Sequence, residues 1–324
     1  MIDPIHRIDT ALPIDDVVKK ASLSFQLGDV LTYSVIPTGY QEYNIDCSTS
    51  SGRFIVKIFS HDKPRSRIED VIWGYTRFAS LGAPFPALKA RQDSGYILEI
   101  PAVRQAASYL CVFEYFAGKP MTHVAVTDAD LITITETLIT IHKTKKTIGR
   151  YYDTLGITNL ETEFEKKGAA LFPDETALIK PVIAKLHKLR NSSFRQSIIH
   201  GSIEKENILK NAAGSVCVLD LGCMDYNASV CDIATYIANF SSYLPEAKRV
   251  NAIHLILSHY QKSLPLAPEE LAALPTLIRA QYAAYIVGMT HHMRKDHDMS
   301  KQTQTWLDRG WDGLRAYTNV KSLI

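Results

Sequence analysis

The segment Ile199-His-Gly-Ser-Ile-Glu-Lys-Glu-Asn-Ile-Leu209, followed by Val216-Cys-Val-Leu-Asp-Leu-Gly222, constrains this chain more than any other stretch. A polar loop ends in Asn207, and a short apolar strand then delivers Asp220. A strand-loop-strand hairpin would bring the two side chains together. One amide and one carboxylate, completed by phosphate oxygens, form the hard oxygen set that magnesium prefers. Such a pair suits a cation held against nucleotide phosphates. Each residue alone is ordinary, since Asn is common in turns and Asp often ends a strand. The order His-Gly, five residues, Asn, two apolar residues and then an apolar strand with Asp makes the pair informative.

The rest of the composition narrows the setting. Of 324 residues 46% are hydrophobic, enough to fill one large domain or two packed lobes. The net charge of +2 gives no reason to expect nucleic acid as a partner. The short basic run Lys143-Thr-Lys-Lys146 reads as a solvated face. The five cysteines, Cys47, Cys111, Cys217, Cys223 and Cys231, are odd in number and hold no Cys-x-x-Cys pair, which argues against a disulfide framework or a structural zinc. The N-terminus Met-Ile-Asp-Pro-Ile-His-Arg lacks the apolar core of a signal peptide, and no run approaches the roughly 20 apolar residues of a membrane helix. A reducing cytoplasm, with no membrane partner, is the expectation.

Along the chain, a mixed region precedes a mostly helical one. The spacing predicts a helix over Asp15 to Ser24 and strands over Val30 to Pro37 and Tyr43 to Cys47. Thr38-Gly39-Tyr40 reads as a turn and Ser48 to Gly52 as a tight connection. Arg53-Phe-Ile-Val-Lys-Ile-Phe59 is the clearest strand, and Lys57 is the cation in its apolar interior. By alternation alone Lys57 could equally be an edge-strand lysine facing water. A helix follows over Ser66 to Leu81, stopped by Gly82, Pro84 and Pro86, then strands over Tyr96 to Ile100 and Tyr109 to Tyr115. Ala117-Gly118-Lys119-Pro120 breaks the pattern, which puts a lobe boundary between residues 1–115 and 116–324. Beyond it, Thr127 or Asp128 can cap a helix whose Leu131, Ile134, Leu138 and Ile141 share a face. The run is rich in Ile and Thr, so propensity argues for a strand, but the period decides for helix. Further helices are expected over Leu160 to Leu171, Glu175 to Leu189, Cys231 to Phe240, Ala247 to Ser263, Pro268 to Met293 and Gln302 to Tyr317.

The hairpin segment resembles the catalytic-loop motif of aminoglycoside phosphotransferases and their relatives, which include choline kinase, methylthioribose kinase and the kinase-like bacterial homoserine kinase. Their pattern is His-Gly-Asp, four residues, Asn, two apolar residues, and later an apolar-Asp-aromatic strand. His200, Gly201, Asn207, Ile208, Leu209 and Asp220 match it. Val230-Cys-Asp-Ile-Ala234 is similar to the family's Tyr-Asp-Leu-Ala helix start, and Leu138-Ile-Thr-Ile-His142 to its Leu-Ala-x-Leu-His helix end. Ser80-Leu-Gly-Ala-Pro-Phe-Pro86 resembles its Gly-x-Pro-x-Pro segment, and Phe113-Glu-Tyr-Phe-Ala-Gly118 its lobe linker. The likeness runs from about residue 30 to beyond 230, in order.

The resemblance implies an α+β, protein-kinase-like fold of two lobes, a small mixed β-sheet N-lobe and a larger helical C-lobe. It implies transfer of the γ-phosphate of ATP or GTP, with Mg²⁺, to a hydroxyl of a small molecule that is aminoglycoside-, choline- or homoserine-like. Lys57 becomes the phosphate-binding lysine, and Asn207 and Asp220 the magnesium ligands. Backbone groups of the linker at Glu114 and Tyr115 would meet the base, and amides around Gly39 would cover the phosphates. The family pairs the lysine with a glutamate on the next helix. Counting back from Gly82 puts Trp73 at that place, while Glu69 lies one turn earlier, beside Asp70, and a one-turn shift would restore the pair. Asp232 would hold the catalytic loop through its backbone, with His200 organising the loop more than moving protons.

One departure stands out. The family's catalytic Asp is Ser202 here. A neutral hydroxyl cannot accept a proton as an ionised carboxylate does, and general base catalysis contributes about 10²–10⁴-fold. Three explanations fit. The chain is a non-catalytic pseudokinase that binds a nucleotide or metabolite, or the Asp has been replaced by engineering, or another carboxylate serves, with Glu204 the nearest. An enzyme is the favoured reading, because the metal and phosphate residues are retained. His291-His-Met-Arg-Lys-Asp-His-Asp298 looks metal-rich but offers no third ligand on one helix face.

Overall fold

The computed structural model describes residues 4–37, 39, 41–190 and 192–317. The chain divides into two units, Met1–Gly118 and Lys119–Ile324. In the first, α1 (Ile14–Phe25), β1 (Val30–Ile36), β2 (Tyr43–Thr49), β3 (Gly52–Ile58), α2 (Arg65–Ser80), β4 (Leu98–Ile100) and β5 (Ser108–Glu114) follow in order. The five strands pair antiparallel in the order β1-β2-β3-β5-β4. Their β-branched and aromatic residues suit a pleated, half-buried surface. Val17, Val18, Ala21 and Phe25 of α1 share one core cluster with Ile45, Cys47, Val56 and Ile58 of the sheet.

The strand β3 is central, so the edge-strand alternative for Lys57 falls away. Lys57 lies opposite Asn44 of β2 and Cys111 of β5, and is buried. The expected connection over Ser48 to Gly52 is tighter than the sequence suggests, because β2 continues to Thr49 and β3 starts at Gly52. Of the expected turn at Thr38-Gly39-Tyr40, Thr38 and Tyr40 lie outside the described residues. On α2, Ile68, Val71, Ile72, Tyr75 and Phe78 form the buried stripe, and Tyr75 meets the Phe113 ring edge-on at 4.7 Å.

The second unit runs β6 (Lys119–Pro120), α3 (Asp128–Lys143), α4 (Leu160–Lys167), α5 (Pro173–His187), β7 (Gln196–Ile199), β8 (Ile208–Lys210), β9 (Val216–Val218), β10 (Asp225–Ala228), α6 (Ser229–Ser241), α7 (Glu246–Ser263), α8 (Pro268–Arg294) and α9 (Lys301–Ala316). Period beats propensity in α3 because the helix buries Leu131, Ile134, Leu138 and Ile141 together, and the threonines fit into it. Thr133, Thr135, Thr137 and Thr140 each turn the hydroxyl back onto the carbonyl four residues earlier, at 3.0, 2.7, 2.9 and 2.9 Å. Thr127 and Asp130 form a capping box at its start, worth about 1 kcal/mol. The helix expected over Leu160 to Leu171 stops at Lys167 and becomes a 3₁₀ turn over Gly168–Ala170.

Two short antiparallel sheets frame the loop of interest. One joins β6, β8 and β9, and the other pairs β7 with β10, Ile199 facing Asp225. The β8–β9 hairpin is the one the sequence predicts, whereas β6, β7 and β10, of two to four residues, carry too little alternation to be read from it. All of α6 is buried, and the middle of α8 from Ala280 to Thr290 is buried on every side. The contact of α9 with α8 is close, because a Cβ at Gly313 would stand 2.2 Å from the Tyr282 ring. Among the described residues no helix is long and apolar enough to cross a membrane.

Candidate active site

The polar loop 200–207 leaves β7 through a residue that must be glycine. Gly201 has φ 86°, and a Cβ there would lie 2.3 Å from the Cys223 carbonyl oxygen. Next to it, Asp232 in the first turn of α6 gathers three donors. It accepts from the backbone N–H of His200 at 2.6 Å and of Gly201 at 2.9 Å, and from His142 Nε2 at 3.1 Å. Burial alone would lift this carboxyl, but the His142 hydrogen bond and the neighbouring imidazoles outweigh it and hold the group below the usual range. The other ring nitrogen of His142 meets the Tyr260 hydroxyl at 2.8 Å. The helix end at His142 and the helix start at Asp232 are thus two sides of one clamp on the loop.

The remaining loop contacts point inward. His200 Nε2 donates to the Leu219 carbonyl at 3.0 Å, and its Nδ1 accepts from the Ser202 N–H at 3.3 Å. Burial lowers its pKa, so the ring is a neutral brace rather than a proton carrier. Asn207 Nδ2 donates to the Ser202 carbonyl at 3.0 Å and to its Oγ at 3.3 Å. That contact leaves the amide Oδ1 as the atom Asn207 can offer to a cation. The pairing of Ile208 with Val218 and the bond from Leu219 N–H to the Asn207 carbonyl at 2.7 Å set Asn207 and Asp220 at adjoining strand ends. Asp220 takes φ 63°, uncommon outside glycine, and accepts from Gly222 N–H at 3.1 Å. The donor set, an amide oxygen and a carboxylate, fits a hard cation. Among the described residues no group of three His, Cys, Asp or Glu side chains could hold a metal by itself.

Ser202 is buried, its hydroxyl 3.5 Å from the Asp220 carbonyl. Two residues on, the Glu204 carboxyl is buried and accepts from the Tyr285 hydroxyl at 3.1 Å. Burial first, then the charge of Glu206, pushes its pKa up to about 8, with Arg309 opposing. Glu206 is held by the Arg309 guanidinium of α9 through both nitrogens, and Arg309 also reaches Asn239 and the Tyr243 hydroxyl, each at 3.0 Å. Sequence reasoning missed this support. Glu206 and Arg309 are 103 residues apart, and no local pattern announces such a pair.

A small cavity lies beside Gly201 and includes Asp153, Asp225 and Asp232 among its lining. Asp225 accepts from Tyr151 N–H at 2.9 Å and Asn227 Nδ2 at 3.1 Å, with Arg150 3.4 Å away. Burial pushes Asp153 up to about 6. The wall is acidic, which favours a positively charged group.

In the first unit the carboxylate beside Lys57 is not Glu69. Glu69 is exposed at its side chain and accepts from Arg65 Nε at 3.0 Å. Glu42 brings its Oε2 to 3.6 Å from the Lys57 ammonium. The reason is strand geometry. Asn44 faces Lys57 across the β2–β3 pair, so Glu42 lies diagonally on the same face, within reach of a long side chain. The amides of Glu114 and Tyr115 are engaged inside the unit, donating to the carbonyls of Ala87 at 2.9 Å and Arg53 at 3.1 Å. Gly39 has φ 102° and open space where a Cβ would be. Cys111 is buried against Lys57 and Glu42, and its thiol is pushed far up by burial. At the other end of the chain, His292 Nδ1 sits 2.7 Å from Asp296, an ordinary helix-end pair.

A sequence profile of the phosphotransferase enzyme family matches residues 32–274. The chain belongs to that family. The match covers every residue of the loop and its clamp, and Lys57 on β3. Solved structures agree in fold. The amicoumacin kinase hAmiN in complex with AMP-PNP, Ca²⁺ and amicoumacin is 18% identical, with 96% of this chain and 95% of that chain covered and a TM-score of 0.68. The microcompartment-associated aminopropanol kinase is 14% identical over 96% and 99%, with a TM-score of 0.70. The choline kinase LicA from Streptococcus pneumoniae is 17% identical over 94% and 99%, with a TM-score of 0.62. The fold is therefore the protein-kinase-like α+β fold, and the family is one of phosphotransferase enzymes.

Proposed function

We propose that this phosphotransferase moves the γ-phosphate of ATP, in a Mg²⁺-dependent reaction, to a hydroxyl of a small cationic molecule of the aminoglycoside, choline or homoserine kind. The observation that carries the reading is the placement of Asn207 and Asp220 at adjoining strand ends, beside a loop locked by Asp232. Asn207 and Asp220 would hold the cation, which when bound neutralises charge on the phosphate oxygens. In this reading residues 1–115 bind the nucleotide and residues 116–324 carry the catalytic loop and the acceptor. Lys57 contributes a buried ammonium for phosphate oxygens, and Gly39 lies in the loop that covers them. The linker at Glu114 and Tyr115 would meet the base through backbone atoms other than the two amides already engaged within the unit. The acidic cavity of Asp153 and Asp225 suits an ammonium group of the acceptor, in keeping with relatives named for aminopropanol and choline.

Ser202 stands where the acceptor hydroxyl would lie, and it holds no charge with which to take that proton. Positioning and charge stabilisation, which dominate phosphoryl transfer, remain in place. The reading is of a slow but competent enzyme. The same Ser202 supports the second reading, a pseudokinase that binds nucleotide or metabolite without transfer.

Calorimetry with ATP and with GTP, in Mg²⁺ and in EDTA, tests the first step. Magnesium-dependent binding that disappears in Asp220→Ala supports the proposal. A screen of amino alcohols and aminoglycosides for nucleotide consumption then separates the two readings. Binding without turnover across that screen favours the pseudokinase, and no binding of either nucleotide overturns both nucleotide readings.

A further inference from the structure

The carboxylate at Glu42 serves two lysines at once. It immediately precedes β2, and its Oε2 is 3.6 Å from Lys57 while its Oε1 bonds Lys63, in the turn between β3 and α2. Lys63 also reaches Gln41 Oε1 at 3.5 Å. All three charged side chains are nearly closed off from water, with 4% exposure for Glu42, 10% for Lys57 and 4% for Lys63. Buried charges of this kind are poor stabilisers compared with apolar residues of the same size, so their burial calls for another use. Their arrangement supplies one: two ammonium groups flank a single carboxylate and stand fixed side by side, the geometry a polyphosphate needs from its cations.

We propose that Glu42 is the positioning residue of the nucleotide site, and that it holds Lys57 and Lys63 together as a two-lysine clamp for the phosphates. The inference rests on the nucleotide reading given above. It replaces the helix glutamate expected at Glu69, whose side chain is taken up at the surface by Arg65. The local sequence explains how a strand can take over that task. Glu42, Asn44 and Asp46 alternate along one face of β2, Asn44 faces Lys57, and Asp46 pairs with Arg53 farther along. The face is a charged ribbon whose first member reaches the lysine.

Titrations with ADP·Mg²⁺ and with adenosine, on the unaltered chain, Glu42→Gln and Lys63→Met, test it. The expected result is a loss of at least tenfold in ADP affinity in both variants, with adenosine affinity within twofold of the unaltered chain. That split separates a phosphate effect from general damage, which would weaken both ligands alike. Glu42→Asp, which keeps the charge, is expected to recover part of the ADP affinity. If Glu42→Gln does not fold, Lys63→Met still reads the clamp. Unchanged ADP affinity in Lys63→Met, or equal losses for ADP and adenosine, overturns the inference and leaves the nucleotide reading standing. Failure of the unaltered chain to bind ADP or ATP overturns the nucleotide reading itself, and this inference with it.

Discussion

His142 Nε2 lies 3.1 Å from Asp232 Oδ2, in a pair buried on both sides and separated by 90 residues of sequence. The contact ties the end of α3 to the start of α6, and the same carboxylate carries the backbone of His200 and Gly201. Removing the carboxylate orphans three buried donors together. Asp232→Ala is expected to cost about 3 kcal/mol or more of stability and to abolish transfer. His142→Ala, which removes one donor and leaves the backbone bonds, is expected to cost about 1–3 kcal/mol and to retain part of the activity. Calorimetric melting and steady-state turnover on the two variants check the order. Equal effects would mean that the imidazole, not the carboxylate, organises the loop.

Gly201 gives a sharper steric test. At φ 86° any side chain is strained, and here the Cβ would also press on the Cys223 backbone at 2.3 Å. The obstructing atoms are the backbone and Cβ of Cys223, not the tip of a flexible side chain that could swing away. Gly201→Ala is expected to lower stability by about 2 kcal/mol or more. It should shift Asn207 relative to Ser202, which Mg²⁺-dependent nucleotide binding would register as weakened affinity. A variant with unchanged melting and binding would show that the loop adapts.

How much of this was legible in the sequence follows from how local each relationship is. Asn207 and Asp220 are joined by one hairpin, so spacing alone brings them together. The Asp232 clamp was expected from motif resemblance rather than from any period. The motif points to a carboxylate on α2 for Lys57, yet cross-strand diagonal geometry supplies Glu42. The alternation Glu42, Asn44, Asp46 was a usable signal, had β2 been read as the partner of β3 with Asn44 opposite Lys57. No such signal exists for Glu204 with Tyr285 or Glu206 with Arg309. Those pairs join a loop to helices about 80 to 100 residues away, and only the packed structure brings them into contact.

In the acceptor site proposed above, Asp153 is expected to impose a pH dependence. Burial pushes its carboxyl up to about 6, and the groups bearing on it are Glu163, Lys167 and Asp225, with Leu155 N–H donating to it. Above that pH it is charged and attracts an ammonium. The KM for a cationic acceptor is therefore expected to rise as pH falls through about 6, while Asp153→Asn shows a KM raised about tenfold at pH 7.5 and flat below it. Stability moves the opposite way. With the folded pKa above the ordinary 3.8, the contribution is fully present below that value and is lost as pH rises through about 6. Acceptor kinetics between pH 5 and 7.5 decide the matter, and a pH-independent KM would remove Asp153 from the site.

Ser202 and Glu204 divide the question of the proton. With its pKa at about 8, Glu204 is mostly protonated at pH 7, surrounded by Glu206, Arg309, Asp153 and the Tyr285 hydroxyl. A protonated acid cannot take the acceptor's proton. Glu204→Gln is expected to leave the rate at pH 7 within about twofold and to remove any rise in rate through about pH 8. It should also stabilise the protein increasingly as pH climbs, because the folded pKa exceeds the ordinary 4.5. The contribution is present below 4.5 and lost as pH rises through about 8, a loss the amide does not suffer. Ser202→Asp restores a carboxylate beside Asn207 and is expected to raise turnover by about 10²-fold or more. Rates measured from pH 6 to 9 on both variants separate the possibilities. A collapse of the pH 7 rate in Glu204→Gln would make Glu204 the base, and an unchanged rate in Ser202→Asp would show that proton removal does not limit the reaction.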